Sequence, residues 1–246
     1  MKNIPCIRVF NTLASRKLTD EYQKAYTEGL SSYGVKGHKT ATSWLNNPSV
    51  YIIGLYLNDQ LIGGSRLHFY NPKFDYPFLQ AIKKYKPELA VIMDNYKGQS
   101  IAEVCGTWIN KDYGGTGLGE STARIGLTLA HHVGIDSVLG LSSRHTLDIY
   151  RIFGCHFVTH NDKKATLSYP TNYTSWVIQC ETKTLKYTLL DEAVLMKKWL
   201  DNNNDVVIVK GKKGSSFIHL NQYKNKIPST VAEQSIYRSY FNSLQE

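Results

Sequence analysis

The segment Tyr113-Gly114-Gly115-Thr116-Gly117-Leu118-Gly119 sets four glycines between two strongly patterned stretches. Before it, residues 101–109 read as a strand that ends at Asn110-Lys111-Asp112. After it, residues 120–133 read as a helix, with Ala123, Ile125, Leu129, Ala130 and Val133 on one face. A strand, a glycine turn and a helix in that order call for helix-on-sheet packing. The order also has a chemical meaning. A helix start carries unpaired N–H groups and the positive end of the dipole, and glycines before it let an anion come close. Spacing excludes two phosphate loops. Glu120 stands where a P-loop needs lysine, and Gly115, Gly117 and Gly119 lie two apart rather than in the Gly-x-Gly-x-x-Gly pattern.

The rest of the chain alternates in the same manner. Residues 7–10 read as a strand and 18–30 as a helix, with Leu18, Tyr22, Tyr26 and Leu30 at i, i+4 spacing. Residues 31–47 are polar, a loop or short helix and a candidate lid. Residues 51–57 and 61–70 form a hairpin around Asn58-Asp59-Gln60. Residues 71–98 read as an irregular or helical insertion. Further strands are expected at 137–141, from 155 to 158, at 175–180 and at 206–209, and helices at 145–153, 189–200 and 231–244. No repeat or low-complexity linker divides them. The expectation is a mixed α/β fold, α+β in its mixed sheet: one domain over residues 1–187 with a C-terminal α/β appendage, 188–246, packed on it.

Composition narrows the class of protein. With 246 residues, 42% of them hydrophobic, the chain has the apolar content for a core, which excludes global disorder. Its longest apolar stretch, around residues 50–57, is far short of a membrane span, and residues 1–17 lack a signal-segment pattern. Cys6, Cys105, Cys155 and Cys180 show no paired spacing, so they are expected to be reduced and packed in a soluble, cytoplasmic protein. His131-His132 are adjacent on a helix and cannot share one metal, so no metal site is expected. Lys and Arg exceed Asp and Glu by 29 to 20, a formal charge of +9. The lysines are scattered in pairs and no nucleic-acid-binding signature occurs, so no nucleic-acid partner is expected. Such an excess also suits a phosphorylated cofactor or an acidic protein partner.

The glycine turn resembles the acyl-CoA pyrophosphate loop of the GNAT acyltransferase superfamily, Arg/Gln-x-x-Gly-x-Gly/Ala. Gly117 and Gly119 take the two glycine places, Gly115 the common extra one, and Gly114 stands where Arg or Gln is expected. That departure removes a side-chain phosphate contact, and Lys111 is a candidate to restore its charge. About 30 residues on, Leu147-Asp148-Ile149-Tyr150-Arg151-Ile152-Phe153-Gly154-Cys155-His156-Phe157 resembles the family's helix Ala-x-x-x-Tyr-x-x-x-Gly-Phe. Thr146 takes the alanine place and Ser143 one often held by Asn. A narrower similarity, to acyl-homoserine-lactone synthases and long-chain N-acyl amino acid synthases, rests on three segments. They are Gly63-Gly64-Ser65-Arg66-Leu67, the strand containing Glu103, and Tyr169-Pro170. In the second of these Gly106 replaces the arginine of Glu-x-x-Arg. The resemblance covers residues 7–185.

The resemblance implies a direct acyl transfer from acyl-CoA, or from an acidic acyl-carrier protein, to the amine of an amino acid or similar small acceptor. The residues from Gly114 through Glu120 (Gly114, Gly115, Thr116, Gly117, Leu118, Gly119, Glu120) and Ser143 would hold the CoA, and the main chain at Trp108 or Ile109 would face the oxyanion. Tyr150 would act as the acid for the departing thiolate and Glu103 as the base for the amine. Arg66 would hold an acceptor carboxylate, with Trp44 and Trp108 lining a pocket. Simpler readings stand beside these: Tyr150 as a packed core ring, Glu103 facing solvent or a lysine, Arg66 in a structural ion pair. Short-chain acetyl transfer to a protein or polyamine, or an inactive binding module, are the alternatives at the level of function. The resemblance also calls for a V-shaped split between the fourth and fifth strands.

Overall fold

The computed structural model describes residues 4–35, 42–169, 173–202, 205–221 and 223–237. Its strands are β1 (Cys6–Asn11), β2 (Val50–Leu57), β3 (Gln60–Phe69), β4 (Ile101–Ile109), β5 (Ser137–Ser143), β6 (His156–Phe157), β7 (Thr159–His160), β8 (Lys163–Lys164), β9 (Thr166–Ser168), β10 (Thr174–Glu181), β11 (Val206–Gly211) and β12 (Gly214–His219). Its α-helices are α1 (Arg16–Ser32), α2 (Pro77–Tyr85), α3 (Leu118–His132), α4 (Arg144–Ile152), α5 (Leu190–Asp201) and α6 (Val231–Gln234). Ten strands make one mixed sheet, in the order β11-β12-β1-β2-β3-β4-β5-β10-β6 with β9 beside β10.

Strands β2 and β3 are buried along nearly their whole length, because helices cover both faces of the sheet. The turn between them runs through Asn58 and Asp59, both at positive φ, as a tight hairpin with a right-handed twist requires. Helix α3 lies on one face, packing Ile125, Leu127 and Leu129 with Ile53, Leu67 and Val104. On the other face α1 turns Tyr22 and Tyr26 toward Trp44, Ile52 and Trp108. The insertion at 71–98 is a short bridged turn, Asn71 to Phe74, followed by helix. The helical part consists of α2 and a 3₁₀ segment, Pro87–Tyr96, which bury Phe78, Ile82 and Ile92 with Leu139 and Val177.

Beyond residue 188 the chain continues the same sheet. β12 pairs parallel to β1 at Cys6–His219 and antiparallel to β11. Helix α5 packs on α3, where the Arg124 guanidinium and the Glu192 carboxylate form a buried ion pair, with Nη2 donating to Oε2 at 3.1 Å.

Three expectations change. Cys155 and Cys180, expected to be reduced, are joined in a disulfide, with Cα atoms 4.1 Å apart. The antiparallel pairing of β6 with β10 brings together two residues that are 25 positions apart in sequence. The helix expected over 231–244 ends at Gln234. Ile236 then bridges to Ser100 and the Tyr237 N–H donates to the Gln99 carbonyl, so the edge of β4 recruits this stretch as extended chain. Residues 238–244 of that expectation lie outside the described residues, as do 36–41 of the candidate lid and Pro170. Finally, β12 was not foreseen, since Gly214-Ser215-Ser216 carries no apolar alternation. Among the described residues, no helix is long and apolar enough to cross a membrane.

Candidate active site

The glycine turn joins the end of β4 to the start of α3. Gly115 and Gly117 stand at φ 83° and 84°, the left-handed region that side chains avoid, and Gly117 is the N-cap of α3. The helix begins at Leu118, two residues before the expected start. Leu118 itself is 2% exposed, so its side chain belongs to the core and only its main chain faces the turn. The N–H groups of Leu118, Gly119 and Glu120 have no helical carbonyl four residues back, which suits them to an anion. Thr116 Oγ1 donates to the Tyr113 carbonyl at 2.6 Å and holds the turn in shape. Glu120 is half-buried in the first helical turn, and Lys111 is exposed. At Gly114 an added Cβ would stand 3.2 Å from both the Lys111 carbonyl oxygen and the hydroxyl of the exposed Tyr33, so a side chain there asks for a shift of a few tenths of an ångström.

A second element touches the turn. The Lys213 N–H, in the bend between β11 and β12, donates to the Gly115 carbonyl at 2.8 Å. An added Cβ on Gly211 would fall 2.3 Å from both the Gly115 oxygen and the Gly117 nitrogen, and one on Gly117 would fall 2.6 Å from the Lys210 oxygen. Glycine faces glycine across this contact, and no larger residue fits on either side.

Strands β4 and β5 pair only at Ile101–Ser137, Ala102–Val138 and Glu103–Leu139. Beyond Glu103 they part, although β4 runs on to Ile109 and β5 to Ser143. The parting coincides with a bulge in β4: the register with β3 shifts between Gly64 and Arg66, and Gly106 takes φ 63°. Tyr150, on the helix that follows β5, reaches over the gap to the bulge, its hydroxyl 3.4 Å from Thr107 Oγ1. Burial pushes the Tyr150 phenol up to about 12, with Thr107 opposing, so it keeps its proton at neutral pH. Ser143 is the N-cap residue of α4 in extended conformation, and its carbonyl, not its hydroxyl, accepts a bond from Ser142.

On the sheet face away from α3, Arg66 of β3 stands opposite Cys105 of β4, and His68 opposite Glu103. Glu103 is 2% exposed, and both of its carboxylate oxygens accept the Phe78 N–H at the start of α2, at 3.1 and 3.2 Å. It faces neither solvent nor a lysine. Burial raises its pKa to about 8, against the pull of the Phe78 N–H and the Arg66 charge. Arg66 is 6% exposed and in no ion pair among the described residues. Its guanidinium lies over Trp44 at 4.3 Å and Tyr26 at 5.4 Å. An added Cβ on Gly106 would come within 2.8 Å of Arg66 Nε, so the glycine that stands in the family's arginine place gives Arg66 its room. Arg66 Nε and Nη1, His68 Nε2, Trp44 Nε1 and Trp108 Nε1 are buried with no hydrogen-bond partner among the described residues. Trp108 packs its ring on Tyr22, and the Ile109 side chain lies against Gly63 and Gly119.

The structure thus gathers Trp44, Arg66 and Glu103 on one face, sets Tyr150 across the gap, and places the glycine turn where β4 ends. Sequence reasoning missed Cys105, His68, Thr107 and Tyr26. Strand alternation carried a signal for two of them, because residues two apart share a face: Arg66 with His68, and Glu103 with Cys105.

Neither a protein-family model nor a curated protein sequence matches the chain. Solved structures do. FeeM, an N-acyl amino acid synthase from uncultured soil microbes, superimposes with a TM-score of 0.61 at 17% identity, over 78% of this chain and 98% of that one. BjaI, a CoA-dependent acyl-homoserine lactone synthase, gives 0.55 at 10% identity over 80% and 88%. MesI, another CoA-dependent acyl-homoserine lactone synthase, gives 0.50 at 11% identity over 78% and 93%. With its parted central strands and the glycine turn that opens α3, the chain has the fold of the GNAT N-acyltransferases.

Proposed function

We propose that this protein is an N-acyltransferase that moves an acyl group from a thioester, acyl-CoA or an acyl-carrier protein, onto the amine of an amino acid or similar small acceptor. The observation that carries the reading is Tyr150 reaching Thr107 across strands that part just beyond Glu103. A thioester laid in that gap would meet a proton donor on one side and a proton acceptor on the other.

The amine nitrogen attacks the carbonyl carbon; the C–N bond forms and the C–S bond breaks. Glu103, as carboxylate, takes the proton that the amine loses. Tyr150 gives its phenolic proton to the departing sulfur and regains one from solvent. The main-chain N–H of Trp108 or Ile109 faces the carbonyl oxygen as it gains charge. The donor's phosphates lie on the glycine turn. Arg66 is suited to an acceptor carboxylate, because two of its donor atoms are buried and unpaired. Trp44 holds the guanidinium in place from below.

The test is thiol release, with mass detection of the amide, for acetyl-CoA, long-chain acyl-CoA and acyl-carrier protein donors against a panel of amino acids and amines. The expected result is release that depends on both donor and amino acid, and is faster with long chains. A preference for acetyl-CoA would favour the short-chain alternative. No release above background with any thioester would overturn the reading.

A further inference from the structure

The glycine turn lacks the arginine or glutamine that its pattern expects, and has Gly114 in that place. The candidate replacement nearby in sequence, Lys111, meets Gly114 through its carbonyl, which accepts the Gly114 N–H at 3.1 Å, and is exposed. Among the described residues, Lys111 and Lys210 meet the turn through their carbonyls, and the lysine whose side chain lies on it comes from about a hundred positions along the chain. Lys213 is bound to Gly115 through its main chain, and its Cγ, Cδ and Cε atoms run over that glycine, 3.1 to 3.4 Å from where a Cβ would be. Its stem is therefore laid along the turn while the residue as a whole stays exposed. No ion pair holds its ammonium among the described residues, and no Asp or Glu stands between Asp205 and Glu233. Gly211, Gly115 and Gly117 close the hairpin onto the turn at a distance no side chain permits, so the lysine's place is set by backbone on both sides.

We propose that Lys213 supplies the cationic contact to the phosphate at the head of the donor's pantetheine arm, in place of the arginine absent at Gly114. The β11–β12 hairpin is then one wall of the donor site. This rests on the reading of the turn as that site. The phosphate is common to CoA and to the 4′-phosphopantetheine of a carrier protein, and the same lysine would serve both.

Calorimetric titration of the full chain tests it without turnover. The ligands are CoA, 4′-phosphopantetheine and pantetheine; the proteins are wild type, Lys213→Ala, Lys213→Arg and Lys97→Ala. Lys97 precedes the opposite end of β4 and controls for loss of one surface charge. Lys213→Ala is expected to weaken CoA and 4′-phosphopantetheine about tenfold, as loss of one charge-assisted contact does, and to leave pantetheine unchanged. Lys213→Arg restores most of the loss, and Lys97→Ala has no effect. The salt dependence of CoA affinity falls in Lys213→Ala. If only CoA is affected, the contact is to a nucleotide phosphate and the pantetheine assignment is overturned. Unchanged or tighter binding by Lys213→Ala overturns the proposal and makes the hairpin a mere cover. Wild type that binds neither CoA nor 4′-phosphopantetheine overturns the donor reading itself.

Discussion

Glu103 carries the sharpest consequences at the scale of single residues. Its carboxyl holds a proton to about pH 8 in the folded chain, against an ordinary value of 4.5. The folded state therefore binds the extra proton between these values, and stability falls as pH rises from about 4.5 to about 8. Glu103→Gln keeps the site neutral. Its Tm should exceed that of wild type by a margin that opens above pH 5 and levels off beyond pH 8, at roughly 2–4 °C per kcal/mol relieved. The same variant should lose 10²- to 10⁴-fold in kcat, on the order expected for a missing base, together with the rising limb near pH 8 expected of wild type. A pH series of melting curves and initial rates measures both. Tyr150→Phe should lower kcat far more than it changes acyl-CoA affinity, because the phenol acts only as the sulfur departs. Unchanged turnover would remove it from the mechanism. Glu103, Arg66 and Tyr150 entered the reading only through the resemblance, which aligns them by motif. What encloses them was not legible, since Trp44 and Tyr26 reach Arg66 from α1 and from the turn at Ser43–Asn46, and no local spacing connects these to β3.

Among the elements, the helix after the glycine turn, the β2–β3 hairpin and the strand before the turn could be read directly, because each has its own period and punctuation. The parting of β4 from β5 is a relation between strands, and only the resemblance called for it. The disulfide and the extended course of 236–237 escaped for a similar reason. Both depend on which edge a short segment meets, and neither His156–Phe157 nor Ile236-Tyr237 is long enough to show a pattern. The glycine-to-glycine seam between the hairpin and the turn gives a further test. Gly211→Ala would push a methyl group to within 2.3 Å of the Gly115 oxygen, so the hairpin must lift. Hydrogen exchange is expected to quicken at the Lys213 amide and along 206–219 while the protection of α3 is retained. Loss of stability should be about 1–3 kcal/mol, as for other overpacked contacts.

For the whole molecule, a charge of +9 was legible as a solvated basic surface that would also suit an acidic or phosphorylated partner. Beyond residue 188 the helix at 189–200 and the strand at 206–209 were legible, while their attachments were not, since these are long-range. One of them is the buried Arg124–Glu192 pair between α3 and α5. Removing one partner strands the other charge in the interior, which costs about 3–5 kcal/mol. Glu192→Ala should therefore lower Tm by roughly 10 °C, while Glu192→Gln, which still accepts a hydrogen bond, loses less. Thermal melts of the two variants decide this. The pairing of β12 with β1 and the seating of Lys213 on Gly115 also have a consequence for the order of synthesis. The glycine turn is translated almost a hundred codons before the hairpin that closes on it, roughly 5–20 s at ordinary elongation rates. Until the hairpin arrives, the first strand of the nascent chain has an open edge and the turn lacks Lys213, so the proposed donor site is completed only as this hairpin is made.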